Sequence, residues 1–179
     1  DHGFQVYNPA YPQGRALLDH AALDLRPFIA GLAITMNGRR LRLADPRRHP
    51  EHAAASAAAV GSGALGSPIA MARFAAYALT CARGDVDGLL TRDDISADQA
   101  FRDAGISSTV INRVLRPFLT GVLLESDLVT SRHFVDLVLR TFVAGTPAVP
   151  ARGMGAIPEQ LAGRLDPDRL RLNTPVHTI

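Results

Sequence analysis

The sequence predicts an α+β fold in which a helical layer packs on a small mixed β-sheet. Three observations support this class: strand-like segments lie near the start, helical periodicity fills the middle, and an extended segment, a turn, a helix and a second extended segment follow. Elements in this order favour helices gathered on one side of a sheet. We expect residues 1–179 to form a single domain with parts at 1–45, 67–145 and 146–179.

Residues 1–45 combine an extended segment, a helix and a hairpin. The helix is predicted over YPQGRALLDHAAL, and its apolar side carries Ala16, Leu17, Leu18 and Ala21. The dipeptide Asn37-Gly38 separates LAITM from RRLRL and is typical of a type I′ turn, because both central residues need positive φ. The alternating apolar residues are Leu32, Ile34, Met36, Leu41 and Leu43. We expect this apolar face to be buried and the arginine face to be in water.

Residues 67–145 carry helical signals. A helix is predicted to begin at Ser67-Pro68, because serine caps a helix and proline suits its first position. A capping box of Ser96 and Gln99 predicts a second helix, which closes on Gly105. These signals predict several helices joined by short loops.

The chain after residue 107 contains one more helical break and a final change of character. Pro117 is expected to break or kink the helix that begins in SSTVINRVLR. The next helix places apolar residues at helical spacing, namely Phe134, Val135, Val138, Leu139 and Phe142. Residues 146–179 then predict an extended segment, a turn at ARGMG, a helix over AIPEQLAGRL and a strand over RLRLNTPVHTI.

The glycines Gly61, Gly63 and Gly66 have the spacing G-x-G-x-x-G, which opens many dinucleotide sites. Such a site needs a buried strand before the glycines, whereas HAAASAAAV favours a helix or a loop. The acidic candidates further on, Asp85 and Asp87, follow no apolar strand-like segment. We therefore interpret these glycines as a flexible loop that leads into a capped helix.

Composition limits the function classes. The formal net charge is only +2, and all 19 basic residues are arginine, so an excess of charge for nucleic acid is missing and no lysine can form a Schiff base. The sequence contains no membrane-length apolar segment and no signal segment, and its one cysteine, Cys81, lies in an apolar helical pattern. We expect a cytoplasmic protein with Cys81 as a small buried side chain.

Two candidate groups have simpler interpretations. His49 and His52 have the spacing H-x-x-H, but the intervening proline prevents helical presentation of two metal ligands. Ser131, His133 and Asp136 are the residue types of a hydrolase triad. Because Ser131 and His133 would point apart on one helix, we favour a cap at Thr130 or Ser131 with His133 at a surface or cavity edge.

The densest basic cluster consists of Arg39, Arg40, Arg42, Arg47 and Arg48. A solvated face with ion pairs to Asp45 is favoured over an anion site. No metal site is predicted from these residue patterns.

Three stretches resemble the superfamily of FAD-dependent amine oxidases, phytoene desaturases and protoporphyrinogen oxidases. They are DHGFQVYNPAYPQGRALLD, VLRPFLTGVLLESDLVTSRHFVDLVLRTFVAG and AVPARGMGAIPEQLAGRLDPDRLRLNTPVHTI. The third is the most specific, since it is similar to the family pattern P-x-G-G-M-x-x-L-P-x-x-L-A followed by L-N-T-P-V-x-x-I. One departure is Arg152, which stands where the family often has glycine.

The resemblance implies FAD as the cofactor of the intact protein and a substrate domain for this chain. Family members carry their dinucleotide fingerprint before the segment that matches residues 1–18, and a second FAD-contacting segment near the C-terminus. Neither occurs in this sequence, so we expect the chain alone to bind FAD weakly or not at all. The cofactor-binding candidates that carry over are Gly3, Phe4, Gln5 and Val176. The substrate-cavity candidates are Tyr7, Arg152, Gly153 and Met154.

The chemistry implied by the resemblance is removal of a hydride from a C–N or C–C bond, with the flavin as acceptor. The Leu, Val, Phe and Ala content of residues 67–145 suggests a cavity for an apolar small-molecule substrate. The alternative is a non-catalytic helical ligand-binding or interaction module. We expect no nucleic-acid partner, while a homodimer and a peripheral contact with a membrane stay open. The sequence identifies no catalytic residue.

Overall fold

The computed structural model describes residues 5–83 and 85–178, which belong to two compact units. The terminal unit consists of residues 5–28 and 146–178 among those described, and the central unit covers residues 29–145. These units do not coincide with the predicted parts, because the boundary between residues 28 and 29 falls inside the predicted first part, 1–45.

The predicted α+β class is confirmed. The helices are α1 (Pro12–Leu17), α2 (His20–Leu23), α3 (Ala53–Gly61), α4 (Pro68–Ala82), α5 (Val86–Leu90), α6 (Ala97–Asp103), α7 (Ser108–Val110), α8 (Arg116–Leu123), α9 (Arg132–Ala144) and α10 (Ala156–Ala162). The strands are β1 (Leu25–Pro27), β2 (Gly31–Met36), β3 (Arg39–Ala44) and β4 (Ala148–Pro150). In the described residues the strands form two antiparallel pairs, β1–β4 and β2–β3, so the expected mixed sheet does not form.

Strand β4 is the centre of the terminal unit. It pairs with β1, where Leu25 lies opposite Pro150 and Pro27 opposite Ala148. Tyr7 and Ala148 also exchange two backbone hydrogen bonds, with N···O distances of 2.8 and 2.7 Å. Segments distant in sequence therefore meet at β4.

The single helix predicted near the start is divided into α1 and α2. Leu18 is extended between them, and the Asp19 carboxylate accepts a hydrogen bond from the amide of Ala22 at 3.0 Å. An aspartate that caps a following helix competes with continuation of the preceding one. The predicted apolar side is correspondingly wrong at Leu17, which is 53% exposed, and Leu23 is the buried leucine.

The strand predicted over RLRLNTPVHTI is wrong for the residues that the structure describes. From 170 to 178 the chain contains neither helix nor strand, and its side chains are exposed. Alternating apolar residues form a strand only where a neighbouring strand supplies backbone partners. The predicted β-turn-α-β unit therefore retains β4, the turn and α10.

The hairpin of the central unit forms as predicted. Asn37 and Gly38 have φ of 50° and 72°, as a type I′ turn requires. The apolar residues of β2 and β3 are half-buried and pack on the helical core, while Arg39, Arg40 and Arg42 are exposed. The hairpin is thus the sheet on which the helices pack.

The core of the central unit lies among α3, α4, α6, α8, α9 and the segment before α8. Its fully buried side chains include Phe101, Leu115, Leu119 and Val135. Along α9 the buried residues are Val135, Asp136, Val138 and Leu139, whereas Phe134, expected on the apolar face, is 51% exposed. Most of the apolar side chains that suggested a cavity are therefore used in this core.

The helix continues through Pro117, so the predicted break is wrong, and the irregularity before the proline is a change of helix type. Residues 111–115 form a π-helical segment, and the amide of Arg116 bonds to the carbonyl of Ile111, five residues earlier. A wider turn accommodates the proline ring, which would otherwise meet the carbonyl four residues before it. Segments α7 and α8 are joined through this π segment.

The predicted caps are confirmed in part. Ser67 accepts a hydrogen bond from the amide of Ala70, and Ser96 accepts one from the amide of Gln99, both at 3.2 Å. The side chain of Gln99 instead donates to Asp103 at 2.7 Å, so the capping box is only half formed.

Candidate functional site

The glycine loop between α3 and α4 packs against Val110 and lacks the setting of a dinucleotide site. It follows helix α3, which ends at Gly61, so the strand that a dinucleotide site requires is absent before it. A Cβ on Gly66 would lie 2.7 Å from Cγ2 of Val110, and Gly66 has φ of 121°. The later candidate Asp85 caps α5 by accepting from the amide of Gly88 at 2.7 Å. The glycines lead into a capped helix as predicted, although Gly61 itself is the last residue of α3.

Tyr7, a predicted substrate-cavity residue, is half-buried in the terminal unit. Its hydroxyl lies 2.8 Å from Nε2 of His20, and the two rings meet edge to face at 5.6 Å. A Cβ on Gly14 would lie within 2.1 Å of the same hydroxyl, so the approach of α1 to Tyr7 requires glycine. Burial raises the pKa of Tyr7, against the opposing effect of the Arg15 charge. Tyr7 is therefore a neutral hydrogen-bonding group with a defined position.

The predicted turn at Arg152, Gly153 and Met154 directly follows β4. Gly153 has φ of 85°, and its amide donates to the carbonyl of Pro150 at 2.9 Å. The Arg152 side chain is 76% exposed and lies 3.8 Å from the Glu159 carboxylate. Because Tyr7 pairs with Ala148 on the same short strand, the terminal unit holds Tyr7 and this turn on one scaffold.

Two of the four predicted cofactor contacts lie within the described residues. Gly3 and Phe4 lie outside the described residues, and Gln5 is exposed. Val176 is 76% exposed in a segment without regular structure. A backbone contact to a cofactor requires a backbone with a fixed position. The strand that was expected to fix the backbone at Val176 does not form.

A buried polar cluster, which the sequence interpretation missed, lies in the central unit. Asp136 on α9 has no exposed surface and accepts hydrogen bonds from the Tyr77 hydroxyl at 2.6 Å and from Nη1 of Arg92 at 2.9 Å. Nε of Arg132 lies 3.5 Å from the same carboxylate. The available signal was an aspartate inside the apolar face formed by Val135 and its helical neighbours.

This cluster holds neighbouring groups in their neutral forms. Burial, followed by the hydrogen bond and charge of Asp136, raises the pKa of Tyr77 far above its usual range. Burial and the same charge raise the pKa of the Cys81 thiol to about 12. A thiol with such a pKa is a poor nucleophile at neutral pH. Cys81 is fully buried, as predicted.

The residues of the apparent triad have separate roles. Ser131 caps α9 by accepting from the amide of His133 at 3.2 Å, and its hydroxyl donates to Asp94 at 2.6 Å. Nε2 of His133 donates to the carbonyl of Arg92 at 2.6 Å. The cap predicted at Thr130 or Ser131 is thus formed by Ser131.

The His49 ring is held by two hydrogen bonds. Its Nε2 accepts from the amide of Ala30 at 3.0 Å, and Nδ1 lies 3.0 Å from the Glu51 carboxylate. Within residues 5–83 and 85–178, no group of three or more His, Cys, Asp or Glu side chains is placed to hold a metal ion. The imidazole therefore acts as a link between loop segments.

The ion pairs predicted between the basic cluster and Asp45 form at Arg47 and at Arg48, whose Nε lies 3.9 Å from the Asp45 carboxylate. Arg47 forms an exposed ion pair with Asp45 at 2.6 Å. The guanidinium of Arg48 donates to the carbonyls of Val143 and Gly145, both at 2.7 Å, at the C-terminal end of α9. Arg48 thus donates hydrogen bonds to carbonyls at the end of the helix that have no donor within the helix.

The central unit also contains an apolar groove. It has a volume of about 560 Å³ and lies between residues 32–36 of β2 and residues 112–114 and 117–118 of the π segment and α8. Its walls contain aliphatic and aromatic side chains with three polar ones, Thr35, Asn112 and Arg113.

The structure defines an α+β chain with a glycine turn that follows a small antiparallel strand pair. The sequence matches the family described as flavin containing amine oxidoreductase over residues 1–179, and the chain belongs to that family. The domain is therefore flavin-dependent oxidoreductase-like. None of the curated proteins and none of the solved structures matches it. In the described residues, no helix is both long and apolar enough to cross a membrane.

Membership implies a flavin in intact members of the family. The described residues do not fit such a group as a cradle, because the glycine loop follows a helix and packs on Val110, while Gln5 and Val176 are exposed. A dinucleotide cradle presents free backbone amides at a helix N-terminus. At α4 that end is capped by Ser67.

Gly66 and Gly121 provide a matched test of the glycine loop. Gly66→Ala is expected to lower the free energy of unfolding by about 2 kcal/mol, because an L side chain is strained at this φ and contacts Val110. Gly121→Ala, in α8 with open space around it, is expected to raise it by about 0.5–1 kcal/mol. Urea denaturation measures both. Equal effects of the two substitutions would contradict this assignment.

The Asp136 cluster predicts a graded loss of stability. Asp136→Ala is expected to lower the free energy of unfolding by about 3–5 kcal/mol, because it leaves the Arg92 charge and the buried Tyr77 hydroxyl without their acceptor. Tyr77→Phe is expected to cost about 1.5–3 kcal/mol. Arg47→Ala, which breaks an exposed pair, is the control and is expected to cost about 1 kcal/mol at most. A loss for Asp136→Ala no larger than the control would refute the cluster's importance.

Cys81 predicts a pH dependence of stability. Since folding raises the pKa of its thiol to about 12, the folded protein retains a proton that the unfolded chain releases above about pH 8.5. Stability is therefore expected to fall as pH rises between about 8.5 and 12. Cys81→Ala should make this fall shallower in urea denaturation at pH 7.5 and pH 10. Parallel pH profiles for the two proteins would show that the thiol does not contribute.

Proposed function

We propose that this chain is the substrate-domain part of an FAD-dependent oxidoreductase that removes a hydride from an apolar substrate or an amine, at a C–C or C–N bond. The support is the family match over residues 1–179, together with the turn at residues 151–155 of the terminal unit. In such a protein the flavin accepts the hydride, and the protein supplies binding, orientation and exclusion of water.

The turn after β4 is the observation that carries this proposal. The hydrogen bond from the Gly153 amide to the Pro150 carbonyl holds the turn against β4, and the positive φ of Gly153 sets the direction of the next residue. Met154 then offers a flexible and polarisable side chain, which suits contact with an apolar substrate of irregular shape. The Arg152 charge is largely in solvent.

Tyr7 supplies the polar part of the proposed substrate site. Its neutral hydroxyl is bonded to His20 and can orient a substrate heteroatom without carrying charge. In this proposal neither Tyr7 nor Met154 is a base, and both position the substrate. The proposed ligand is an apolar small molecule.

A second candidate function is a non-catalytic interaction module derived from the same family. The observation that favours it is the groove of the central unit, which lies along a strand and contains no group suited to redox chemistry. The two candidates differ in the unit that carries the function.

The experiment uses the complete product of the gene that contains these residues. We expect purified protein to show flavin absorption that bleaches anaerobically when apolar amines or unsaturated hydrocarbons are added. Met154→Ala is expected to raise KM about tenfold, the size of one lost apolar contact, while the exposed control Ile69→Ala leaves KM unchanged.

Two further results bear on this proposal. The chain of residues 1–179 mixed with equimolar FAD is expected to elute free of flavin, since its described residues form no cradle. A colourless complete gene product would refute the oxidoreductase assignment. Flavin bleaching with equal KM in the Met154→Ala and Ile69→Ala proteins would refute the role of the turn.

A further inference from the structure

The turn of the β2–β3 hairpin places an asparagine side chain directly before a glycine. Asn37 and Gly38 are the two central residues of this turn, and both are exposed. A Cβ built on Gly38 would meet no heavy atom within 4 Å, so its backbone amide can be approached without hindrance. A reaction between these two neighbours would need no bound partner.

Both reacting groups are free of hydrogen bonds. Among the described residues, neither the Asn37 side chain nor the backbone amide of Gly38 has a hydrogen-bond partner. The bond that closes a two-residue turn belongs to the residues on either side of it, here Met36 and Arg39. Asn37 and Gly38 can therefore rotate relative to each other without losing a hydrogen bond of their own.

An asparagine side chain beside an unhindered backbone amide can close a five-membered ring. The Gly38 nitrogen loses its proton and forms a bond to Cγ of Asn37, while the bond from Cγ to the side-chain nitrogen breaks and ammonia leaves. Water then opens the cyclic imide at either carbonyl carbon. Opening at Cγ yields aspartate, and opening at the backbone carbonyl yields isoaspartate, whose main chain runs through Cγ. The reaction consumes water, releases ammonia and needs no oxidant or reductant.

Two other asparagines of the sequence lack these conditions. Asn8 is only 4% exposed and precedes Pro9, whose nitrogen carries no proton to lose. The side chain of Asn112 accepts a hydrogen bond from Nε of Arg116 at 3.2 Å, within a helical segment. Neither side chain is free to react with the following amide.

Asn173 is a natural control for Asn37. It is exposed and has φ of 55°, close to the 50° of Asn37, but the residue after it is Thr174. The branched threonine side chain hinders approach to its backbone nitrogen, whereas glycine has no Cβ. The two asparagines therefore share exposure and backbone conformation and differ in the residue that follows.

The two products have different effects on the hairpin. Aspartate keeps the length of the main chain, and Asp-Gly also suits a type I′ turn. Isoaspartate adds a carbon atom to the main chain of the turn, whose length and type set the register of the strands. The half-buried side chains of Leu32, Ile34 and Leu41 pack on the helical core in the present register. Isoaspartate thus weakens the packing of the hairpin on the core.

We propose that Asn37 is a site of spontaneous covalent modification, at which the exposed turn converts to aspartyl and isoaspartyl forms and the isoaspartyl form loosens the hairpin from the core. The reaction takes place between adjacent residues of one chain, so it requires no enzyme. The site lies in the central unit and is independent of the proposed oxidoreductase function.

The rate of conversion provides the first test. The complete product of the gene is stored at mildly alkaline pH, and its peptides are followed by mass spectrometry, with electron-transfer fragmentation to locate isoaspartate. Asn37 is expected to convert at least about tenfold faster than Asn173, because the threonine side chain raises the barrier. Thr174→Gly is expected to make Asn173 convert at least as fast as Asn37. An intact Asn37, or equal rates for the two asparagines in the unaltered protein, would overturn the proposal.

The melting temperature tests the structural consequence. Asn37→Gly removes the reactive side chain and keeps the turn, since Gly-Gly also suits type I′, so its melting temperature is expected to stay constant during storage. The isolated isoaspartyl form of the unaltered protein is expected to melt at a lower temperature. Asn37→Asp is expected to melt like the fresh protein. An isoaspartyl form with an unchanged melting temperature, or an Asn37→Asp protein that melts equally low, would overturn the loosening by main-chain length.

Discussion

The core of the central unit depends on the neutralisation of one buried carboxylate. Asp136 has no exposed surface, and an unpaired charge there would cost several kcal/mol. Tyr77 from α4 and Arg92 from the segment between α5 and α6 must therefore reach the same point on α9. This requirement determines how three segments meet, and the edge-to-face contact of Tyr77 with Phe101 extends it to α6. The apolar core packs around a polar contact whose geometry is specific.

Arginine performs a second structural task throughout the chain, in which lysine is absent. Arg48 binds carbonyls at the end of α9, and Arg140 donates to the carbonyls of Cys81 and Ala82 at the end of α4, at 3.2 and 3.0 Å. A guanidinium can bind two carbonyls at once because its donors form a planar fork. Several of the positive charges are thus internal links between segments of the chain.

The site candidates divide between the units according to their chemistry. The terminal unit holds a glycine turn and a neutral tyrosine beside one short strand, and the proposed substrate site rests on these two groups. The central unit contains a groove along β2 and the buried Asp136 cluster. The G-x-G-x-x-G motif is part of neither site candidate, because glycine at position 66 is required by the close approach of Val110. Spacing of glycines identifies a phosphate site only when a strand precedes them.

The sequence by itself determined the features that depend on neighbouring residues. The Asn37-Gly38 turn, the Ser67 and Ser96 caps and the helical setting of Gly61 follow from local backbone preferences, and the resemblance placed the chain in its family. Only the tertiary structure decided the features that need distant partners. The burial of Asp136, the outward position of Phe134, the π segment before Pro117 and the unpaired residues 170–178 depend on which elements pack or pair. Local pattern cannot specify them, because burial and strand pairing are properties of contacts between segments remote in sequence.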